Sequence, residues 1–153
     1  MNVEIIKTLA LTEKQASQIN DLWNEEYPLK LKDRFGILLM GAISYTHYLI
    51  NDDCGNVAAW AVNFEKDNET RFSIIVNKNQ QGKGLGTLLI ARLKEELSEF
   101  YGWVIDHNND KKSNGSYYLS PLSFYIKNGF EVLHDIRMDN DLLNAVKIRR
   151  VQQ

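Results

Sequence analysis

Cysteine is almost missing from this chain: Cys54 is the only one among 153 residues. A single thiol cannot close an intrachain disulfide, and there is no thiolate cluster to hold zinc, so neither a disulfide framework nor a metal is expected, and a reducing, cytoplasmic compartment suits the composition. An excess of one charge is also lacking. Eighteen Lys and Arg face twenty Asp and Glu, a formal net charge of -2, without the positive field that a nucleic-acid binder carries. No run approaches the roughly 18 apolar residues of a membrane span. The opening residues mix Glu4 and Lys7 with short apolar pairs, unlike a signal peptide. Nucleic acid and membrane are therefore both unexpected as partners.

What is present is ordinary for a globular protein: 44% hydrophobic and 25% charged residues exclude a disordered tail and a fibrous repeat. The length suits one domain over residues 1–153 that buries most of its apolar surface. A short strand is expected over residues 3–7. Thr12, with Gln15 three residues on, has the form of a capping box, and the helix it opens places Ala16, Ile19, Leu22 and Trp23 on one face. After Pro28, residues 29–39 predict a second short helix, ended by Gly41. Residues 45–51 and 56–64 predict a hairpin about the turn at 51–55, and residues 72–76 a further strand. From 84 to 100 the apolar positions Leu85, Leu88, Leu89, Leu93 and Leu97 recur at helical spacing. Trp103-Val104-Ile105 reads as a strand, Ser120-Pro121 opens a short helix ending at Gly129, and residues 130–136 and 145–151 are the last strands. This order, without internal repeat, implies an α+β fold with a mixed, layered sheet.

The most informative stretch is Gln80-Gln81-Gly82-Lys83-Gly84-Leu85-Gly86-Thr87, set between a strand and the long helix. A helix start offers unpaired N–H groups and the positive end of its dipole, and glycines let a phosphate reach that backbone. A Walker A loop is excluded because Gly84, not Ser or Thr, follows Lys83. The dinucleotide fingerprint also fails, since its third glycine falls on Thr87 and hairpin strands precede the loop.

What the junction resembles is the acetyl-CoA signature of the GNAT superfamily of N-acyltransferases, Gln/Arg-x-x-Gly-x-Gly/Ala, matched by Gln81, Gly84 and Gly86. Downstream, Phe124-Tyr125-Ile126-Lys127-Asn128-Gly129-Phe130 resembles the family's aromatic-Tyr-x-x-x-Gly-Phe segment. The resemblance spans nearly the whole chain and is specific over residues 72–130. It implies an α+β fold with a mostly antiparallel central sheet and helices on both faces. It also implies transfer of an acetyl group from acetyl-CoA to a primary amine of a small molecule or peptide, with no metal. By that resemblance the pantetheine arm lies along Ile74, Ile75 and Val76, pairing with main-chain groups of Ile74 and Val76. The pyrophosphate rests on the N–H groups of Gln81, Gly82, Lys83, Gly84, Leu85 and Gly86, with Thr87 and the Lys83 ammonium as supplements. Tyr125 takes the place of the family tyrosine that protonates the departing thiolate. The family's asparagine seven residues before that tyrosine is here Tyr118.

Amine acetylation also needs a base or a water path. Asp106 and His107, at the end of the strand through Ile105, are the candidates, ahead of His47 and His134, although a strand-terminal Asp-His pair also serves as a turn cap. The loop at 108–120, with Tyr117 and Tyr118, is either a wall of the acceptor site or an insertion. Trp23, Tyr27 and Arg34 fall where such folds shape an acceptor pocket, while Asp21, Glu25 and Glu26 either attract a cationic amine or, as charges on a helix more often do, form its wet face. An exposed strand at 145–151 would let two copies pair as a homodimer. A non-catalytic acyl-CoA-binding module on the same fold is the alternative, and a nucleotide-binding regulatory domain a more distant one.

Overall fold

The computed structural model describes residues 3–39 and 41–152. Seven strands form one sheet in the order β1-β2-β3-β4-β5-β7-β6. They are β1 (Ile6–Thr8), β2 (Ile43–Asn51), β3 (Val57–Lys66), β4 (Glu69–Val76), β5 (Glu99–Ile105), β6 (Glu131–Asp139) and β7 (Asn144–Val151). Every neighbouring pair is antiparallel except β4 and β5. The sheet is thus mixed and mostly antiparallel, as expected.

Helix α1 (Glu13–Glu26) starts where the capping box predicts: the Thr12 hydroxyl accepts from the Gln15 N–H at 3.1 Å, and Gln15 Oε1 accepts from the Thr12 N–H at 2.9 Å. Its stripe of Ile19, Leu22 and Trp23 packs on Leu49, Val57, Trp60, Val62, Phe64 and Ile75 on one face of the sheet. The opposite face receives α3 (Leu85–Glu96), whose Leu85, Leu89, Ile90 and Leu93 meet Ala59 and Ala61 of β3. Alternation along β3 explains both contacts. Trp60, Val62 and Phe64 fill the α1 side, while small alanines on the α3 side let a helix approach closely.

Four expectations are corrected. The helix at 29–39 is a 3-10 turn over Leu29–Leu31 and one helical turn, α2 (Phe35–Leu38), because Asp33 between them has a φ of 60°, outside any right-handed helix. The long helix stops at Glu96. Phe100 belongs to β5, and its fully buried ring follows the strand's alternation instead of the helix stripe. Leu88, expected on the packed face of α3, is 41% exposed. Strand β7 is not an edge: it lies between β5 and β6, so it cannot add a second copy. The free edge on that side is β6, blunted by Asp135, Arg137 and an irregular register after Leu133.

Candidate active site

Strands β4 and β5 are parallel neighbours that pair at one position, Arg71 opposite Tyr101. Beyond it, residues 73–76 and 103–105 part, and both segments line a cavity of about 1080 Å³. Gly102 in β5 is needed for the packing behind this opening. A Cβ there would stand 2.6 Å from the Phe72 ring, which shares a cluster with Phe100, Phe130 and Tyr125 at centroid distances of 5.2, 5.3 and 5.7 Å.

At the C-terminal end of β4 the glycine loop enters α3. Gly82 and Gly84 have φ of 81° and 79°, a left-handed geometry that glycine adopts without Cβ strain. Nothing lies within 4 Å of where their Cβ atoms would be. Among the described residues, no protein acceptor meets the N–H groups of residues 82–87. Gly82, Gly84, Leu85, Gly86 and Thr87 all line the cavity. These residues suit a pyrophosphate, with N–H donors, a helix start and open space on the glycine side. Lys83 Nζ donates to Gln80 Oε1 at 3.1 Å, and Lys83 does not line the cavity. On the β4 edge, the Ile74 carbonyl accepts from the Tyr27 hydroxyl at 3.2 Å and the Val76 carbonyl from Gln81 Nε2 at 3.0 Å. A carbonyl has a second lone pair, so an arm docking along this edge can still be accepted there.

Helix α4 (Leu122–Lys127) carries Tyr125, which lines the same cavity and is 7% exposed. Burial pushes its phenol above the usual value, with the nearby Tyr27 adding to the rise. Tyr118 is shifted well upward by burial and by both neighbouring phenols. Trp23, Tyr27 and Tyr118 form an edge-to-face row with centroids 4.5 and 5.9 Å apart. The cavity is therefore walled by neutral phenols that keep their protons through ordinary pH.

The 108–120 loop is a wall of the cavity. The Leu29 N–H donates to the Lys111 carbonyl at 2.7 Å, Lys30 pairs with Asp110 at 3.0 Å, and Pro28 bridges Lys112. Tyr117 and Tyr118 both face the cleft. Under this loop lies Glu26, at the end of the α1 stripe and 7% exposed. One of its oxygens accepts from the Lys78 N–H at 2.7 Å, and the other stands 3.4 Å from Lys112 Nζ. Sequence reasoning had set Glu26 on the wet face of α1. The signal was available, because Ile19, Leu22, Trp23 and Glu26 follow the i, i+3, i+4, i+7 rhythm of one face.

The structure does not bring the expected bases to the cleft. Neither Asp106 nor His107 is among the described residues that line the cavity. Asp106 is held by the Arg137 guanidinium through two bonds of 2.9 Å, which keeps its carboxyl below the usual carboxylate value. His107 lies 3.9 Å from Asp110, and its Nδ1 accepts from the Asn109 N–H at 3.1 Å. Both serve the turn after β5. His47 is buried, its Nδ1 accepting from the Trp60 indole at 3.0 Å, and His134 is exposed on β6.

The family model described as an acetyltransferase (GNAT) domain matches residues 44–132, and the chain belongs to that family of acetyl-CoA-dependent enzymes. No curated protein matches it by sequence. Solved structures share the fold. A GNAT superfamily phosphinothricin acetyltransferase from Sinorhizobium meliloti, in complex with acetyl-CoA, is 16% identical at a TM-score of 0.61, over 98% of this chain and 88% of that one. A GNAT-family acetyltransferase from Staphylococcus aureus Mu50 is 13% identical at 0.65, over 97% and 98%. The spermidine/spermine N-acetyltransferase of Vibrio cholerae, in complex with manganese ions, is 16% identical at 0.58, over 97% and 92%. Among the described residues no group of His, Cys, Asp and Glu could hold a metal, and no helix is long and apolar enough to cross a membrane.

Proposed function

We propose that residues 1–153 act as one N-acetyltransferase domain, passing an acetyl group from acetyl-CoA to a primary amine, with Tyr125 as the general acid and Glu26 acting on the amine. One observation carries this reading: the unpaired N–H groups of residues 82 and 84–87 and the buried Tyr125 phenol belong to residues that line the same gap between β4 and β5. The glycine loop holds the pyrophosphate, and the main chain at Ile74, Ile75 and Val76 guides the arm, so that the thioester lies in the gap. Glu26 accepts a proton from the incoming ammonium, freeing the lone pair that attacks the carbonyl carbon. As the C–S bond breaks, Tyr125 gives its phenolic proton to the sulfur. The attacking nitrogen gives its second proton to the Tyr125 phenolate as it becomes the amide, and Glu26 releases the first to solvent, so the products are an amide, a free thiol and one proton. A phenol kept protonated by burial suits the second step, and a carboxylate that lines the cleft suits the first.

The location of Glu26 supports it over Asp106 and His107, since Asp106 is engaged by Arg137 and His107 stands beside Asp110. The related folds named for phosphinothricin and for spermidine/spermine make amino acids and polyamines the first acceptors to try. The test is CoA release from acetyl-CoA, followed with a thiol reagent across amines, polyamines, aminoglycosides and peptides, alongside calorimetric CoA binding to wild type and Gly84→Asp. Turnover that falls about 100-fold or more in Tyr125→Phe is the expected result. CoA binding without turnover of any amine would favour an acyl-CoA-binding module, and absence of CoA binding would end the reading.

A further inference from the structure

We infer that the acceptor amine carries an oxyanion, a carboxylate in the first instance, which the cleft receives on Arg34 and Lys66. The inference rests on the acetyltransferase reading above. The cleft has two regions that suit anions, at opposite ends of β4. One is the glycine loop beyond Val76, which accounts for the phosphates of the co-substrate. The other lies about 17 Å away, five residues back along the strand at roughly 3.3 Å each, around Arg71 at the start of β4.

Strand register sets this second region. Phe64 lies opposite Arg71, and Lys66 opposite Glu69, so Phe64 and Lys66 lie on the α1 face of β3 next to Arg71. Arg34 comes from the segment between Leu31 and α2, which covers the same face through Leu31 and Phe35. Five charged residues line the cavity: Glu26, Arg34, Lys66, Arg71 and Lys112. Arg71 is bonded to Glu69 and Asp67, and Lys112 stands beside Glu26. Among the described residues, Arg34 and Lys66 have no carboxylate within ion-pair distance. Across the gap, on β5, the Trp103 indole N–H is buried and finds no acceptor.

A guanidinium and an ammonium left over in a cleft walled by Trp23, Tyr27 and Phe64 repel a polyamine and favour an acceptor with an anionic head. The acceptor is then bipolar. Glu26 is bonded to the Lys78 N–H past the end of β4. An amine at Glu26 and an oxyanion on Arg34 and Lys66 therefore stand roughly 8–10 Å apart once the side chains reach inward, a span that a long ω-amino acid or a peptide makes and a simple alkylamine or an α-amino acid does not.

Matched pairs of acceptors test this: 6-aminohexanoate against pentylamine, 8-aminooctanoate against heptylamine, with spermidine as the polycation. In the wild type, kcat/KM is expected to favour the carboxylate-bearing member of each pair by about tenfold or more. In Arg34→Gln with Lys66→Gln that preference should vanish, while kcat/KM for the decarboxylated amines and KM for acetyl-CoA stay within about twofold. 6-Aminohexyl phosphate shows whether a phosphate oxyanion serves as well, and its preferential turnover with loss in the double variant also supports the inference. Preference for spermidine, indifference to the carboxylate, or a preference unchanged in the double variant would overturn it. CoA binding by calorimetry with no turnover of any oxyanion-bearing amine would overturn it too. Failure of the wild type to bind CoA would instead defeat the underlying reading.

Discussion

Gly102→Ala separates an argument from propensity from an argument from packing. A glycine within a strand costs about 0.5–1 kcal/mol relative to alanine, so propensity alone predicts a gain in stability. The structure predicts the reverse. The added Cβ would stand 2.6, 3.1 and 3.2 Å from three atoms of the Phe72 ring, so the ring must withdraw by about 1 Å to reach ordinary contact. Phe72 is 6% exposed and held by Phe100, Phe130 and Tyr125, so it can withdraw only by pressing on these rings or by giving up contact with them toward the cavity. Overpacking of this kind costs about 1–3 kcal/mol, which for a chain of this size lowers Tm by roughly 3–10 °C. A displacement passed to Tyr125 should also lower kcat by as much as about 100-fold. Thermal melts and steady-state kinetics on Gly102→Ala, Phe72→Leu and the double variant form a cycle in which Phe72→Leu should relieve most of the added cost. A Gly102→Ala protein that melts at or above the wild-type temperature would refute the packing argument. Loss of stability with unchanged kcat would refute the link to Tyr125.

Three other outcomes follow from geometry already described. His47 has its pKa pushed down to about 4 by burial, below the ordinary value of about 6.5. The unfolded chain therefore takes the proton first as pH falls. Stability should be whole above about pH 6.5 and decline by about 3 kcal/mol in total as pH drops to about 4. Urea unfolding at pH 7 and pH 5 should show that slope in the wild type and lose it in His47→Gln, whose side-chain oxygen can still accept from Trp60. Thr12→Ala removes one bond of the capping box and should destabilise by about 1 kcal/mol in the same assay, with kcat unchanged. Glu26→Gln should reduce kcat by at least about 100-fold and weaken its dependence on pH, whereas Asp106→Asn should leave kcat within about threefold.

Most of the fold was legible because the chain signals its boundaries locally. The Thr12–Gln15 box, the change from alternating to helical spacing at Gly84, and the Gly129 turn each fix an element end with neighbours in sequence. Phe100 was misread because Leu97 and Phe100 continue the helical rhythm by chance, and only tertiary packing shows that Phe100 has moved to a strand. The 29–39 segment failed because apolar residues at mixed spacing do not reveal a left-handed Asp33. The cleft was half legible. Its glycines and Tyr125 depend on backbone shape, which leaves a pattern, while the choice between Glu26 and Asp106 depends on which loop folds over which strand. Arg137 reaches Asp106 from 31 residues away, and nothing near Asp106 announces it.

The place of β7 bears on how the chain assembles during synthesis. Beyond its single paired position with β4, β5 takes its ladder from β7, with seven register pairs from Glu99–Val151 to Ile105–Ala145. Strand β5 leaves the ribosome before its partner. Until residues 144–151 follow, one wall of the gap between β4 and β5 is a nascent strand with an open edge, and the aromatic cluster lacks the fully buried Ile148. The long-range pairing of β5 with β7 also brings Ile148 into the cluster that holds Tyr125, so the cleft and the closed sheet form together.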